Sequence, residues 1–269
     1  MDEVVALRPP GRDPPGSAAP RPPITLARVI SVNVGQPQAR RLPPPFPEAD
    51  RVGVYQTAIA KTPASGPVVV TALQLAGDAQ ADLRNHGGAD KAVHAHFVQH
   101  LAWWGQRRGS PVSPGELGEN LTLAAGLDPS KPPSSTPLAS LRAAPRAARP
   151  VGPPDEAAFC IGDVLRVGSA LLQVTQPRIP CYKQAAQLGL VDAVRLIAET
   201  GRCGLYLRVL KEGALRAGDT VQLVDRPHPD VTVADAHRFV HHERHDPQLR
   251  ARLRGCSGLG RDIRRRLEQ

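Results

Sequence analysis

The sequence predicts a mainly β fold: a closed or nearly closed barrel with a few helices, followed by a small helical segment. Three observations carry this. Short runs rich in β-branched residues recur with glycine and proline between them, strand and helix do not alternate regularly, and helical periodicity takes over only after Val231. The first 23 residues hold seven prolines and little apolar periodicity, which marks a disordered extension. From Ile24 the run ITLARVISVNV (24–34) alternates roughly as a half-buried strand does. Further strands are expected over 52–59, 68–75 and 117–123. VLRVGSALLQV (164–174) reads as a hairpin, because two alternating runs flank Gly168-Ser169 and glycine at the first turn position suits a type II′ turn. Strands over 205–210 and 221–224 follow, joined through Gly213 and Gly218. Helices are expected over 97–108, with Phe97, Leu101 and Trp104 on one face, and over 191–200, ended by Gly201. Residues 129–155, with eight prolines and no aromatic, form a disordered loop excursion, cheap because closure entropy grows only logarithmically with length. Thr232 then caps a helix over 233–242, and 247–254 and 260–267 complete three. The expected organisation is an extension over 1–23, a barrel over 24–227 interrupted at 129–155, and a three-helix segment over 228–269.

Composition narrows the function classes. The 29 prolines in 269 residues are about twice the usual ~5% share, yet proline and glycine together stay below the ~25–30% of a wholly disordered chain. The formal charge of +9 is peripheral: 244–269 carries a surplus of five positive charges and 129–155 a surplus of three, which leaves the body nearly neutral. Aromatics at 3% offer few stacking platforms, so a dedicated single-strand binder is disfavoured and only weak nucleic-acid contact through the Arg-rich tail is expected. No apolar run approaches the ~18 residues of a membrane span, and the N-terminus lacks the apolar core of a secretory signal, so a soluble cytoplasmic protein is expected. Cys160, Cys181, Cys203 and Cys256 form no C-x-x-C pair and are read as reduced thiols.

Several constellations bear on chemistry. His94, His96 and His100, or His237 and His241, have ligand spacing, but HHERH (241–245) is one residue short of H-E-x-x-H and no third ligand is apparent, so structural or surface histidines are the preferred reading. PRIPC (177–181) holds Cys181 in a proline-stiffened loop near Arg178 and Lys183, a setting that favours thiolate; an inert packed cysteine is the alternative. In NHGGADK (85–91), Gly87 and Gly88 can present amides to an anion beside His86 and Lys91, or simply make a tight turn. GELGENL (115–121) places Glu119 and Asn120 beside a strand.

Taken in order, GDAQAD (77–82), NHGGADKAV (85–93), GENLT (118–122), IGDVLRVGSALLQVTQPRIPCYK (161–183) and CGLYLRVLKEGALRAGD (203–219) resemble MOSC-domain proteins of the YiiM type, over roughly 24–128 and 156–267. The resemblance implies a closed MOSC-type β-barrel that binds the molybdenum cofactor (Mo-molybdopterin), with Cys181 ligating molybdenum. It also implies a basic triad of Lys61, His86 and Arg178, with Gly87, Gly88, Lys91 and Asn120 as further cofactor contacts and Cys181 and His86 as catalytic residues. A pyridoxal phosphate binding-like description is compatible with it. The implied activity is detoxifying reduction of small N-hydroxylated compounds such as hydroxylaminopurine, hydroxylamines and amidoximes, with His86, titrating near 6.5, or a water as the proton source. With no flavin fingerprint or iron–sulfur cysteine cluster in the chain, electrons would come from a separate reductase. A cofactor or sulfur carrier without turnover is the alternative. Asp262-Ile263 stands where relatives usually have a tryptophan.

Overall fold

The computed structural model describes residues 24–46, 48–125 and 155–269. The strands are β1 (Ile24–Val34), β2 (Gln38–Arg41), β3 (Val54–Thr57), β4 (Thr62–Pro63), β5 (Val68–Val70), β6 (Val93–Phe97), β7 (Leu121–Ala125), β8 (Val164–Val167), β9 (Ala170–Pro177), β10 (Leu205–Lys211), β11 (Gly213–Leu215) and β12 (Thr220–Asp225). The helices are α1 (Ala49–Val52), α2 (Leu83–His86), α3 (Val98–Arg108), α4 (Tyr182–Leu188), α5 (Ala193–Thr200), α6 (Val233–His241), α7 (Pro247–Arg254) and α8 (Arg261–Glu268).

Seven strands close into a barrel in the order β1, β12, β8, β9, β10, β6, β7 and back to β1. Closure removes the unpaired edges an open sheet would expose. Every neighbouring pair is antiparallel except β6 and β7, which run parallel and are linked by the long crossover that contains α3. The hairpin forms as expected: Val167 pairs with Ala170 across two residues, Gly168 has φ +57°, and no described non-glycine residue, Ser169 included, has positive φ, which excludes a type I′ turn and fits II′. α6 starts at a capping box between Thr232 and Asp235, and Asp246 caps α7 with Pro247 in its first turn.

Two apolar clusters follow from this arrangement. The first fills the barrel with residues such as Val93, Phe97, Leu172 and Val221, then continues under α6–α8 through Phe239 and Ile263. The second, centred on Trp104, Leu117 and Ile197, lies among α3, α4 and α5. Full burial of side chains of this size contributes about 1.5–3 kcal/mol each.

Four expectations need correction. Residues 93–97 are a strand, β6, that alternation does not reveal, because all five residues are buried and two are histidines. The 52–59 run is divided, α1 ending at Val52 and β3 spanning only Val54–Thr57. The 68–75 run stops at Val70, with Leu75 returning by a single bridge to Val70. The 117–123 run starts only at Leu121, since Gly115 and Gly118 at φ +89° and +80° turn the chain before it. Helices α1, α2 and α4 and the short strands β2, β4 and β11 are additions. At the C-terminus Ile263 is fully buried, so α8 packs on the barrel, and Asp262 pairs with Lys91. The 1–23 extension and the 129–155 excursion lie outside the described residues, apart from Asp155, which opens the 3-10 turn Asp155–Ala158. Among the described residues no helix is long and apolar enough to cross a membrane.

Candidate functional site

Titratable side chains from distant parts of the chain meet in one cavity on the flank of the barrel. Its inner part, about 70 Å³, is walled by the β3–β4 connection with Lys61, the loop Asp78–Asp82, the turn that carries His86 and Lys91, His94 on β6, Gly118 and Asn120, the Arg178–Lys183 segment, and Tyr206 on β10. An outer chamber of about 390 Å³ shares Asp82, His86, Lys91, Cys181, Lys183 and Tyr206 with it and reaches α8. A larger hollow of about 630 Å³ beside α3 is lined by no titratable residue, so chemistry and not size selects the site.

Each cation is held by a specific device. The Arg178 side chain, 5% exposed, donates from one terminal nitrogen to the Leu117 carbonyl oxygen and to His94 Nδ1, both at 3.0 Å. The buried Arg178 Nε has no hydrogen-bond partner. Burial first, and then the Arg178 charge, drives the His94 pKa well below its ordinary value, so His94 is a neutral acceptor. Lys61 forms an ion pair with Asp78. Asp78 also accepts from the Gly35 amide and from Asn120 Nδ2, each at 2.8 Å. Burial lowers the Lys61 pKa and Asp78 partly restores it. Lys91 is gripped by the Asn85 carbonyl oxygen and by Asp262, and Lys183 donates to the Gln56 carbonyl oxygen at 3.1 Å.

The cavity brings together Lys61, His86, Lys91, Asn120, Arg178 and Cys181. Gly87 and Gly88 do not line it; they shape the turn that presents His86 and Lys91, and a Cβ on Gly87 would stand 2.7 Å from Gln80 Oε1 and 2.8 Å from Leu83 Cα. Asn120 is spent on bracing: Nδ2 donates to the Asn33 carbonyl oxygen at 3.2 Å as well as to Asp78, and Oδ1 accepts the His94 amide at 3.0 Å. His86 is corrected too. Burial first, then the Arg178 charge, pulls its pKa down to about 4, so it is neutral near pH 7 and is no proton store at 6.5.

Asp78 and Tyr206 line the cavity without having been singled out in the sequence, and His94, read there only for its ligand spacing to His96 and His100, lines it too. Asp78 and Tyr206 lie inside the GDAQAD and CGLYLRVLKEGALRAGD motifs, and those motifs were the available signal. Glu119, fully buried, accepts the Gly115 and Leu117 amides and the Thr122 hydroxyl; burial raises its pKa, and it shapes the turn behind Arg178. Cys181 is partly exposed in the cavity wall, whereas Cys160, Cys203 and Cys256 are buried, with thiol pKa values that burial raises. His96 and His100 gain the third partner that the sequence did not show: ligand atoms of His96, His100 and Glu156 lie within 4.8 Å of one another, outside the cavity. Glu156 Oε1 there accepts the amides of Cys203 and Gly204 at 3.0 and 2.7 Å, which ties down the start of β10.

The buried histidines carry a pH prediction. Burial is the leading cause that holds His86, His237 and His241 at about 4 and His96 at about 3 in the folded chain, against ~6.5 when unfolded. Above pH 6.5 both states are neutral and the stability is whole; from there down to about 4 only the unfolded chain takes up protons, so stability falls. The urea midpoint is expected to drop clearly from pH 7.5 to pH 5, and equal midpoints would contradict this burial.

A seven-stranded closed barrel with one accessible thiol among clustered cations on its flank defines a class that comparison with known proteins resolves. The chain belongs to the MOSC domain family, which matches residues 82–141 and 151–222. The uncharacterized protein YflK of Bacillus subtilis is 35% identical over 215 residues, covering 80% of this chain and 81% of YflK. A protein named reductase from Gibberella moniliformis is 31% identical over 194 residues, 70% of this chain but 29% of that longer protein. The crystal structure of YiiM from Geobacillus stearothermophilus superposes with a TM-score of 0.64 at 28% identity, over 90% of this chain and 97% of that one.

Proposed function

We propose that this chain is a molybdenum cofactor-dependent reductase of small N-hydroxylated compounds, fed by a separate electron-donor protein. The observation that carries the reading is Cys181, the one cysteine that lines the cavity, set beside Lys61, Arg178, Lys91 and Lys183. A thiolate suits a high-valent metal, and the cations suit a phosphate-bearing pterin. The unpartnered, buried Arg178 Nε is a donor that such a ligand would satisfy. A relative named reductase supports the oxidoreductase class.

In this reading Cys181 would hold the metal, and Lys61, Lys91 and Arg178 the anionic and polar parts of the cofactor. Once bound, the cofactor supplies two-electron redox and oxygen-transfer chemistry. The overall change is R–NHOH plus two electrons and two protons to R–NH2 and water. Burial keeps the Tyr206 hydroxyl protonated, and Tyr206 lies 3.5 Å from His86 Nδ1. Donation from that hydroxyl places the His86 proton on Nε2, so a neutral imidazole offers its N–H to the hydroxyl oxygen of the substrate.

The test is molybdenum and pterin content of protein prepared anaerobically from a cofactor-producing host, with dye-driven reduction of 6-N-hydroxylaminopurine assayed on the same samples. Wild type is expected to carry molybdenum and to turn over, and Cys181→Ala to lose both. Molybdenum without turnover would make the barrel a cofactor carrier, and a metal-free wild type would overturn the proposal.

A further inference from the structure

A second cluster of donor side chains takes no part in the proposed reaction. His96 on β6, His100 on α3 and Glu156 in the 3-10 turn Asp155–Ala158 come from three separate stretches of chain and are 0%, 3% and 0% exposed. One ligand atom from each lies within 4.8 Å of the others. None of the three lines the inner cavity or the outer chamber. The cluster is nevertheless close by, since the His96 ring centre is 5.8 Å from that of His94, which does line the cavity.

Distances separate two readings of this trio. Were a shared proton to hold it together, its members would approach to about 2.7–3.2 Å. His96 Nδ1 and His100 Nδ1 are instead 3.3 Å apart, and His100 Nδ1 is 3.7 Å from Glu156 Oε1. Ligands bound to a tetrahedral zinc ion at about 2.0–2.2 Å stand roughly 3.3–3.6 Å from one another, which is close to this spacing. The atoms also present the right sides. The Phe97 amide donates to His96 Nδ1 at 3.0 Å, so the ring carries its proton on Nε2 and turns an unprotonated nitrogen toward His100. Glu156 Oε1 accepts the Cys203 and Gly204 amides at 3.0 and 2.7 Å, which fixes the carboxylate in place. Magnesium and calcium take oxygen ligands, whereas two imidazoles with one carboxylate suit zinc and leave a fourth position open. Buried His96 Nε2 has no hydrogen-bond partner. A ligating histidine braced at its other nitrogen gains about 10–100-fold in metal affinity, so binding here is expected to fall short of a fully braced site by that factor.

We infer that His96, His100 and Glu156 bind a zinc ion with a structural role. The ion would pin β6 to α3 and to the start of β10. His94 sits on β6, and the Gly204 carbonyl oxygen accepts the Arg178 amide, so the ion would stiffen the frame on which two cavity residues are mounted. This site is independent of what the cavity binds.

The test uses the full chain produced in zinc-supplemented and in zinc-depleted medium, in a host that makes no molybdenum cofactor, and freed of loose metal by gel filtration. Wild type from the supplemented medium is expected to retain about one zinc ion per chain and to melt several degrees above the zinc-depleted protein. His100→Gln and Glu156→Gln are expected to lose both the zinc and the melting shift. Glu156→Gln keeps a side-chain oxygen for the Cys203 and Gly204 amides, so it separates ligation from folding. Cys181→Ala and His241→Gln are expected to keep the zinc. Cobalt(II) supplied in place of zinc gives a reading that needs no variant: the ligand-field bands of a tetrahedral site are expected without the thiolate charge-transfer band that a site on Cys181 would show. Wild type without retained zinc, equal melting temperatures with and without zinc, zinc that persists in folded Glu156→Gln, or a thiolate band from bound cobalt overturns the inference.

Discussion

Asp78→Ala is expected to lower the free energy of unfolding by about 3–5 kcal/mol, the usual cost of leaving a buried charge without its counter-ion. In the native chain the Asp78 and Lys61 side chains are 1% and 8% exposed. The substitution also strands the Gly35 amide and one Asn120 donor, both of which point at the same carboxylate. For a chain of this size the melting temperature should fall by on the order of 10 °C. Lys61→Met placed in the Asp78→Ala background should recover part of the loss, because the ion that cannot be hydrated goes with it. Urea denaturation of the two variants beside wild type decides the matter. A single variant within ~1 kcal/mol of wild type, or a double variant weaker than the single, would mean that the pair is far better solvated than this geometry allows.

Gly204→Ala should be nearly as severe, for a different reason. Gly204 has φ +72°, and a Cβ there would lie 2.5 Å from the Ala95 carbonyl oxygen and 2.8 Å from His94 Nε2. The carbonyl belongs to a barrel strand and cannot swing aside, so overpacking of about 1–3 kcal/mol adds to a left-handed backbone cost of about 1–2 kcal/mol. Gly204 also donates its amide to Glu156 and accepts the Arg178 amide, so a shift here moves the segment leading to Cys181. Gly189→Ala is the internal control: φ is +68°, but nothing lies within 4 Å of the added Cβ, so only the backbone part should appear. Equal losses at the two positions in the same denaturation series would rule out the clash at Gly204.

What the sequence made legible tracks how local each determinant is. The β8–β9 hairpin, the end of α5 at Gly201 and the cap of α6 depend on residues within a few positions of one another, and each is where pattern and turn chemistry put it. β6 escaped because VHAHF is buried on both faces, with histidines where a partly exposed strand would show polar residues toward water. Within the cavity, Cys181 and Arg178 stood out through a stiff local motif, whereas Asp78 shows its purpose only once Lys61, Gly35 and Asn120 are folded around it. Asn120 lines the cavity as expected, and its amide also braces the frame through Asn33, Asp78 and His94. Gly87-Gly88 is the opposite case, since an amide pair suited to an anion in one dimension serves as the hinge of a turn in three.

The seam of the barrel sets a timetable for its assembly. β1 hydrogen-bonds to β12, with Ile24 opposite Leu223 and Arg28 opposite Thr220. The first barrel strand therefore waits for the last one, and pairings of such long sequence separation place the chain among slow folders. Asp262, which fixes Lys91 at the cavity mouth, comes later in the chain than every barrel strand. A barrel closed without α8 thus has no finished cavity to offer, because Lys91 would stand without its carboxylate.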